Sequence, residues 1–123
     1  MSQRGNESSA AALPPTGVYA VIFASTRPHD ATDDYGDWSA RMAELAREQP
    51  GFLGIESVRG EDGRGISVSY WASEADIAAW KAVAEHREAQ RLGMKSFYSA
   101  FTVVVAKVER AYAFTREGGK RSG

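Results

Sequence analysis

Trp71, Trp80, His86 and Gln90 fall within one short stretch, which holds two of the chain's three tryptophans and one of its two histidines. Indole rings beside a few convergent polar groups are the materials of a small apolar pocket. An imidazole held there could take the proton of a phenol near neutral pH. His86 follows Trp80 by six residues, so on one unbroken helix their side chains point about 120° apart. The two share a pocket only where that helix is interrupted. Lys81 to Glu85 carries no continuous apolar stripe, and a helix restarted there sets His86, Gln90 and Gly93 on one face. Without the interruption His86 is a surface residue.

Trp80 has two readings, as packing beneath a helix or as the wall of a pocket. Trp71, at a strand end, reads as structural. Trp38 belongs to the apolar stripe of an earlier helix and would wall the same cavity. Tyr70 and Tyr98 sit where strands meet the helix layer, able to donate to a substrate oxygen or to face a second subunit. Arg27 and Arg59, near strand ends, could pair with an anionic substrate or stay solvated. His29 sits in a polar loop with no partner of its kind nearby.

Other chemistries lack their parts. There is no cysteine, which removes disulfides, thiolate metal sites and a thiol nucleophile together. The two histidines stand far apart without a neighbouring ligand pair, so no metal site is expected. No Gly-x-Ser-x-Gly occurs, and the glycines from Gly60 to Gly65 precede a strand where a phosphate loop would precede a helix. A net charge of -1 with both signs intermixed gives no footprint for nucleic acid or an anionic membrane. No apolar run reaches the roughly 18 residues of a membrane span, and the N-terminus lacks a secretory pattern, so a cytoplasmic location is the expectation.

The elements that must position these residues are legible from periodicity. Residues 1–17 hold few large apolar groups and are expected to be a disordered tail; 18–114 form the folded unit; 115–123 are expected to be a flexible tail. Val18 to Thr26 is apolar at both alternating sets of positions, which marks a strand buried on two faces. A helix follows, capped by Asp33 or Asp34, with Tyr35, Trp38, Met42, Leu45 and Ala46 on one stripe, and Pro50-Gly51 ends it. Phe52 to Arg59 and Ile66 to Trp71 form a hairpin around a turn containing Asp62-Gly63. Ser73 with Asp76 starts a second helix through Ile77, Trp80 and Ala84, ended or bent at Gly93. Tyr98 to Ala111 alternates as a last strand, again apolar on both faces.

Strand, helix, strand, strand, helix, strand is the order of an α+β, ferredoxin-like βαββαβ domain, an antiparallel four-stranded sheet with both helices on one side. Two helices cover one face, yet the first and last strands are apolar on both. A second copy of the same sheet is the simplest cover for the other face, because a two-fold contact buries one patch twice. The expected assembly is a homodimer with sheets face to face, a dimeric α/β barrel.

Gln49-Pro50-Gly51-Phe52-Leu53-Gly54-Ile55-Glu56-Ser57 and Ser67-Val68-Ser69-Tyr70-Trp71-Ala72-Ser73-Glu74, in this order and spacing, resemble the antibiotic biosynthesis monooxygenase family across about 18–114. The resemblance implies a dimeric barrel and oxygen insertion into electron-rich aromatic polyketides without metal or flavin. The partners it implies are a small aromatic molecule and dioxygen, and no cofactor is expected. Trp80 and His86 then become the catalytic candidates, and Trp38, Tyr70, Gln90 and Tyr98 the substrate-binding ones. The family's haem-degrading branch is similar around Trp80 but carries an iron-ligating histidine ten residues on, where this chain has Gln90. That branch also needs an asparagine on the first strand, and the single asparagine here is Asn6. Haem breakdown is therefore disfavoured, and a non-catalytic small-molecule-binding dimer is the alternative to the oxygenase.

Overall fold

The computed structural model describes residues 13–27, 35–90, 98–116 and 119–122, the side chains of Tyr35, Asp37, Ala89, Gln90 and 119–122 excepted. Asp33, Asp34, His29, Gly93 and residues 1–12 lie outside the described residues. The elements run β1 (Tyr19–Thr26), α1 (Tyr35–Arg47), β2 (Phe52–Arg59), β3 (Arg64–Trp71), α2 (Glu74–Gln90), β4 (Ala100–Lys107), β5 (Tyr112–Thr115) and β6 (Gly119–Ser122). The main sheet is antiparallel with strand order β2-β3-β1-β4, and β5 pairs with β6 in a separate two-stranded sheet. This is the ferredoxin-like α+β arrangement. Each helix links two strands that are parallel to each other but not adjacent, and right-handed crossovers place both helices on one side.

Local signals account for the element ends. Trp38, Met42 and Leu45 are half-buried and Ala46 is buried, as the stripe requires. After Arg47 the last turn tightens, with Gln49 N–H donating to the Ala46 carbonyl at 3.0 Å and the Gln49 side-chain amide to the Leu45 carbonyl at 3.1 Å. Gly51 follows with φ of 83°, and a Cβ there would stand 2.1 Å from an Asp76 carboxylate oxygen. Glycine is thus required twice over, by the backbone angle and by the close approach of the α2 N-terminus. That N-terminus is capped as expected: the Asp76 amide donates to Ser73 Oγ at 3.1 Å, and Ser73 Oγ donates to the Asp76 carboxylate at 2.9 Å.

The structure decides one open alternative and departs from one expectation. α2 is uninterrupted from Glu74 to Gln90. Alanines, glutamates, Lys81 and Arg87 are strong helix formers, and an exposed Lys81–Glu85 pair at 3.2 Å adds a little, so the absent apolar stripe does not break the helix. The last strand does not run on to Ala111. β4 stops at Lys107, where its partner β1 begins at Tyr19, and Val108 instead donates to Val18 and accepts from Gly17, both at 2.8 Å. The chain then folds back, so the stretch expected to be a loose tail after Phe114 carries β6 paired to β5.

The cross-strand register assigns every sheet residue to a face. Trp71 meets Trp80 of α2, so the helix-facing rows are Tyr19, Trp71 and Phe52; Val21, Ser69 and Ile55; Phe23, Ser67 and Ser57; and Ser25, Gly65 and Arg59. Ile22, Val68, Ile66, Val58, Val104 and Thr102 occupy the opposite face. That face is apolar and open, with Val58 74% and Val104 51% exposed. Among the described residues the buried apolar side chains are Ala20, Ala46 and Trp71, of which Trp71 alone is fully enclosed, a thin core for a chain of 123 residues.

Candidate functional site

The helix-facing side of the sheet changes character along the strands. At one end Trp71, with no exposed surface, is held edge-on by Phe52 at 5.4 Å and overlaid by Trp80 at 6.1 Å with rings 20° apart. Its indole N–H donates to Ser69 Oγ at 2.9 Å, so the one polar atom of the ring is satisfied inside the apolar cluster. Trp80 is half-buried, reaching down from α2 as the lid of this cluster.

In the middle, the floor turns polar. Ser57 and Ser67 face each other across β2 and β3, their hydroxyls 2.7 Å apart, with Ser57 exposed and Ser67 half-buried. Hydroxyls that reach solvent on the helix-facing side mean that α1 and α2 do not close over this part of the sheet. The helix-facing side is thus closed and aromatic at the Trp71 end and reached by solvent at Ser57 on the edge strand β2.

At the far end Arg59 lies flat across Gly65, where a Cβ would fall 2.6 Å from the guanidinium carbon. The guanidinium donates to Ser25 Oγ at 2.6 Å and to the Gly63 carbonyl, and sits 5.8 Å from the centre of the Tyr98 ring. Tyr98 packs edge-on against Phe23 at 5.2 Å, and Phe101 lies against the same Phe23 ring. Arg59 is thus a fixed cation on the helix-facing side of the sheet, not a solvated surface arginine.

The structure brings together some of the residues singled out by sequence and separates others. Trp80 and Tyr98 lie on the helix-facing side at opposite ends, and Trp38 is half-buried on α1. Tyr70 does not join them. It neighbours Trp71 in β3, successive strand residues point to opposite faces, and it therefore lies on the open face beside Ala20. His86 is exposed, and with α2 continuous it points about 120° away from Trp80, so no shared pocket forms between them. The Gln90 side chain lies outside the described residues. Reasoning from aromatic and titratable residues missed Ser57, Ser67, Ser69 and Gly65. Their signal was present as a run of small polar residues at alternate strand positions, on the face that should carry apolar side chains against helices.

A separate depression of about 540 Å³ occurs on the open face, lined by Ala24, Thr26, Val58, Arg64, Ile66 and Thr102 among others. It is remote from Trp80. Among the described residues no group of three His, Asp or Glu could hold a metal ion, and no helix is long and apolar enough to cross a membrane.

Comparison with known proteins agrees with this architecture. The uncharacterized protein YqjZ of Bacillus subtilis (strain 168) is 48% identical over 101 residues, spanning 82% of this chain and 88% of its own length. Among solved structures, SnoaB, a cofactor-independent oxygenase from Streptomyces nogalater, superposes with a TM-score of 0.62 at 18% identity, over 78% of this chain and 97% of its own. A haem-degrading protein from Mycobacterium tuberculosis gives a TM-score of 0.50 at 20% identity, over 76% and 93%. At those identities the structural likeness concerns the fold. The sequence profile described as antibiotic biosynthesis monooxygenase matches residues 18–92, more than half of the chain, and the protein belongs to that family.

Proposed function

We propose that the protein is a cofactor-independent monooxygenase of a small aromatic phenol, working as a homodimer whose open sheet faces meet. The observation that carries this reading is the half-buried Trp80 ring, stacked on Trp71, on the same side of the sheet as the Ser57–Ser67 hydroxyls. An aromatic ring finds apolar surface there, and its oxygen finds hydrogen-bonding partners.

The reaction asks little of a protein. A phenol loses its proton, the phenolate transfers an electron to dioxygen, and the radical pair closes a carbon–oxygen bond at a ring carbon bearing hydrogen. Loss of water from the resulting hydroperoxide leaves a quinone, so one phenol and one dioxygen become one quinone and one water. The substrate supplies the electrons. The protein contributes orientation, exclusion of water and stabilisation of the phenolate. Membership of a family named for monooxygenases supports this reading, as does the likeness in fold to SnoaB.

A second reading has its own support. Among the described residues no imidazole lies beside Trp80, His86 being exposed on another side of α2, and an aromatic surface without a neighbouring proton acceptor suits a binding module. Oxygen uptake decides between them. Hydroxynaphthalenes mixed with the pure protein under air should consume dioxygen and yield quinone, with turnover reduced at least tenfold in Trp80→Ala. Saturable quenching of tryptophan fluorescence by the same phenols, with no uptake across the panel, would establish the binding module instead.

A further inference from the structure

The C-terminal hairpin turns an aromatic face to water. Tyr112 and Phe114 stand two apart in β5 and so share one side of the strand, 65% and 71% exposed, while Ala113 between them is half-buried. Among the described residues β5 packs on β6 and makes no more than marginal contact with any other element. Two adjacent exposed rings form an apolar patch of the kind that marks contact with another molecule.

The far end of the sheet carries the complementary feature. The depression on the open face is lined by Val58 of β2, Ile66 of β3, Ala24 and Thr26 of β1 and Thr102 of β4, with Val58 and Ile66 exposed. The register places it at the Thr26–Ala100 end of the sheet, whereas the hairpin follows the Tyr19–Lys107 end, about 23 Å away along the strands. Within one chain the two do not meet. In a two-fold dimer with open faces together they can. An axis between the sheets and across the strands lays the Lys107 end of one copy over the Thr26–Ala100 end of the other. The stretch from Val108, held to Val18, to Tyr112 spans up to about 14 Å, enough to cross the roughly 10 Å between facing sheets. An axis along the strands would set depression over depression and leave both pairs of rings in water.

The area argues the same way. Four strands of eight residues give the open face a flat footprint of about 500 Å², roughly 1,000 Å² for two facing copies, the lower limit of a specific interface. A hairpin from each copy carries the contact beyond that limit. We propose, resting on the homodimer stated above, that β5–β6 is an arm exchanged between copies, Tyr112 and Phe114 of each seated in the depression of the other against Val58 and Ile66. The contact lies away from Trp80, so it fixes the assembly without entering the helix-facing side of the sheet.

The chain has no cysteine, so introduced thiols report the contact directly. Oxidised Val58→Cys/Phe114→Cys should run on a non-reducing gel at twice the 13.3 kDa of one chain, whereas Val58→Cys and Phe114→Cys alone should run as single chains. Phe114→Ala removes two seated rings per dimer and should weaken dimerisation, read by sedimentation of a dilution series, by about a hundredfold or more. Arg116→Ala, an exposed change beside the hairpin turn, should leave it within about fivefold. Because Phe114 is exposed in the single chain, its truncation leaves the fold intact, which circular dichroism checks. A disulfide closed within one chain overturns the exchange, and so does a Phe114→Ala protein that dimerises like wild type. A wild-type dimer in which the thiol pair never joins two chains overturns the exchange and leaves the dimer standing. A wild-type protein that sediments as a monomer overturns both.

Discussion

Trp71 and Trp80 stack with ring centres 6.1 Å apart and planes 20° from parallel, and this contact fastens α2 to the sheet. The two partners are not equivalent. Trp71 is fully enclosed with its N–H bonded to Ser69, whereas Trp80 is half-buried on α2. Trp71→Ala should therefore lower the unfolding free energy by about 3–5 kcal/mol, the range for an aromatic removed from a core. Trp80→Phe keeps most of the packing volume and should cost less than about 1.5 kcal/mol. Urea unfolding followed by circular dichroism measures both; a larger loss for Trp80→Phe than for Trp71→Ala would reverse the assignment of the two rings.

His86 and Trp80 make the complementary case, since one uninterrupted helix carries them on different sides. His86→Ala should leave phenol-dependent oxygen uptake within twofold of wild type at every pH, because an exposed imidazole directed away from Trp80 has no substrate proton within reach. A tenfold loss in that variant would mean that α2 bends in solution as the sequence pattern suggested. Propensity outweighs periodicity in this helix: an alanine-rich segment with a capping box holds its conformation without a continuous apolar stripe.

The order of elements, the capping box and the two-faced character of β1 and β4 were all readable, because alternation and capping are local properties of the chain. The site was only half readable. Once Trp71 is seen to face α2, strand parity sends Tyr70 to the other face and brings Ser67, Ser57 and Arg59 to the floor. That orientation depends on which of two apolar faces the helices choose, and β1 is apolar on both. Arg59 shows the same limit from another side, since a solvated arginine and one laid across Gly65 have the same local sequence.

Gly65 and Arg59 can be tested as a unit. A methyl group on Gly65 would stand 2.6 Å from the guanidinium carbon, so Gly65→Ala must displace Arg59 from Ser25 and Gly63 and should cost about 1–3 kcal/mol. In Arg59→Ala the same glycine substitution should cost less, giving a coupling free energy of at least about 0.5 kcal/mol. Thermal unfolding of the four proteins measures it. Additive effects would show that Arg59 occupies another position in solution.

The open sheet face makes the oligomer a matter of two residues on one side. Ile66 and Val104 are 49% and 51% exposed in the single chain and lie on the face opposite the helices. A charge placed there would be desolvated if a second sheet packs against it. Ile66→Glu and Val104→Glu should each shift sedimentation from a dimer toward the 13.3 kDa monomer, whereas the Ser57→Ala change on the opposite face should not. A wild-type protein that sediments as a folded monomer at micromolar concentration removes the two-fold barrel.

Haem gives the last discrimination. A ligating imidazole ten residues beyond Trp80 is absent, Gln90 standing there, and a carboxamide is a poor ligand for haem iron beside an imidazole or thiolate. Titration of ferric haem should leave the Soret band without the sharp, saturating shift of axial nitrogen coordination, and ascorbate with dioxygen should not consume the porphyrin. Stoichiometric binding with such a shift, retained in His86→Ala, would identify an iron ligand elsewhere in the chain and return the haem-degrading relatives to the centre of the functional assignment.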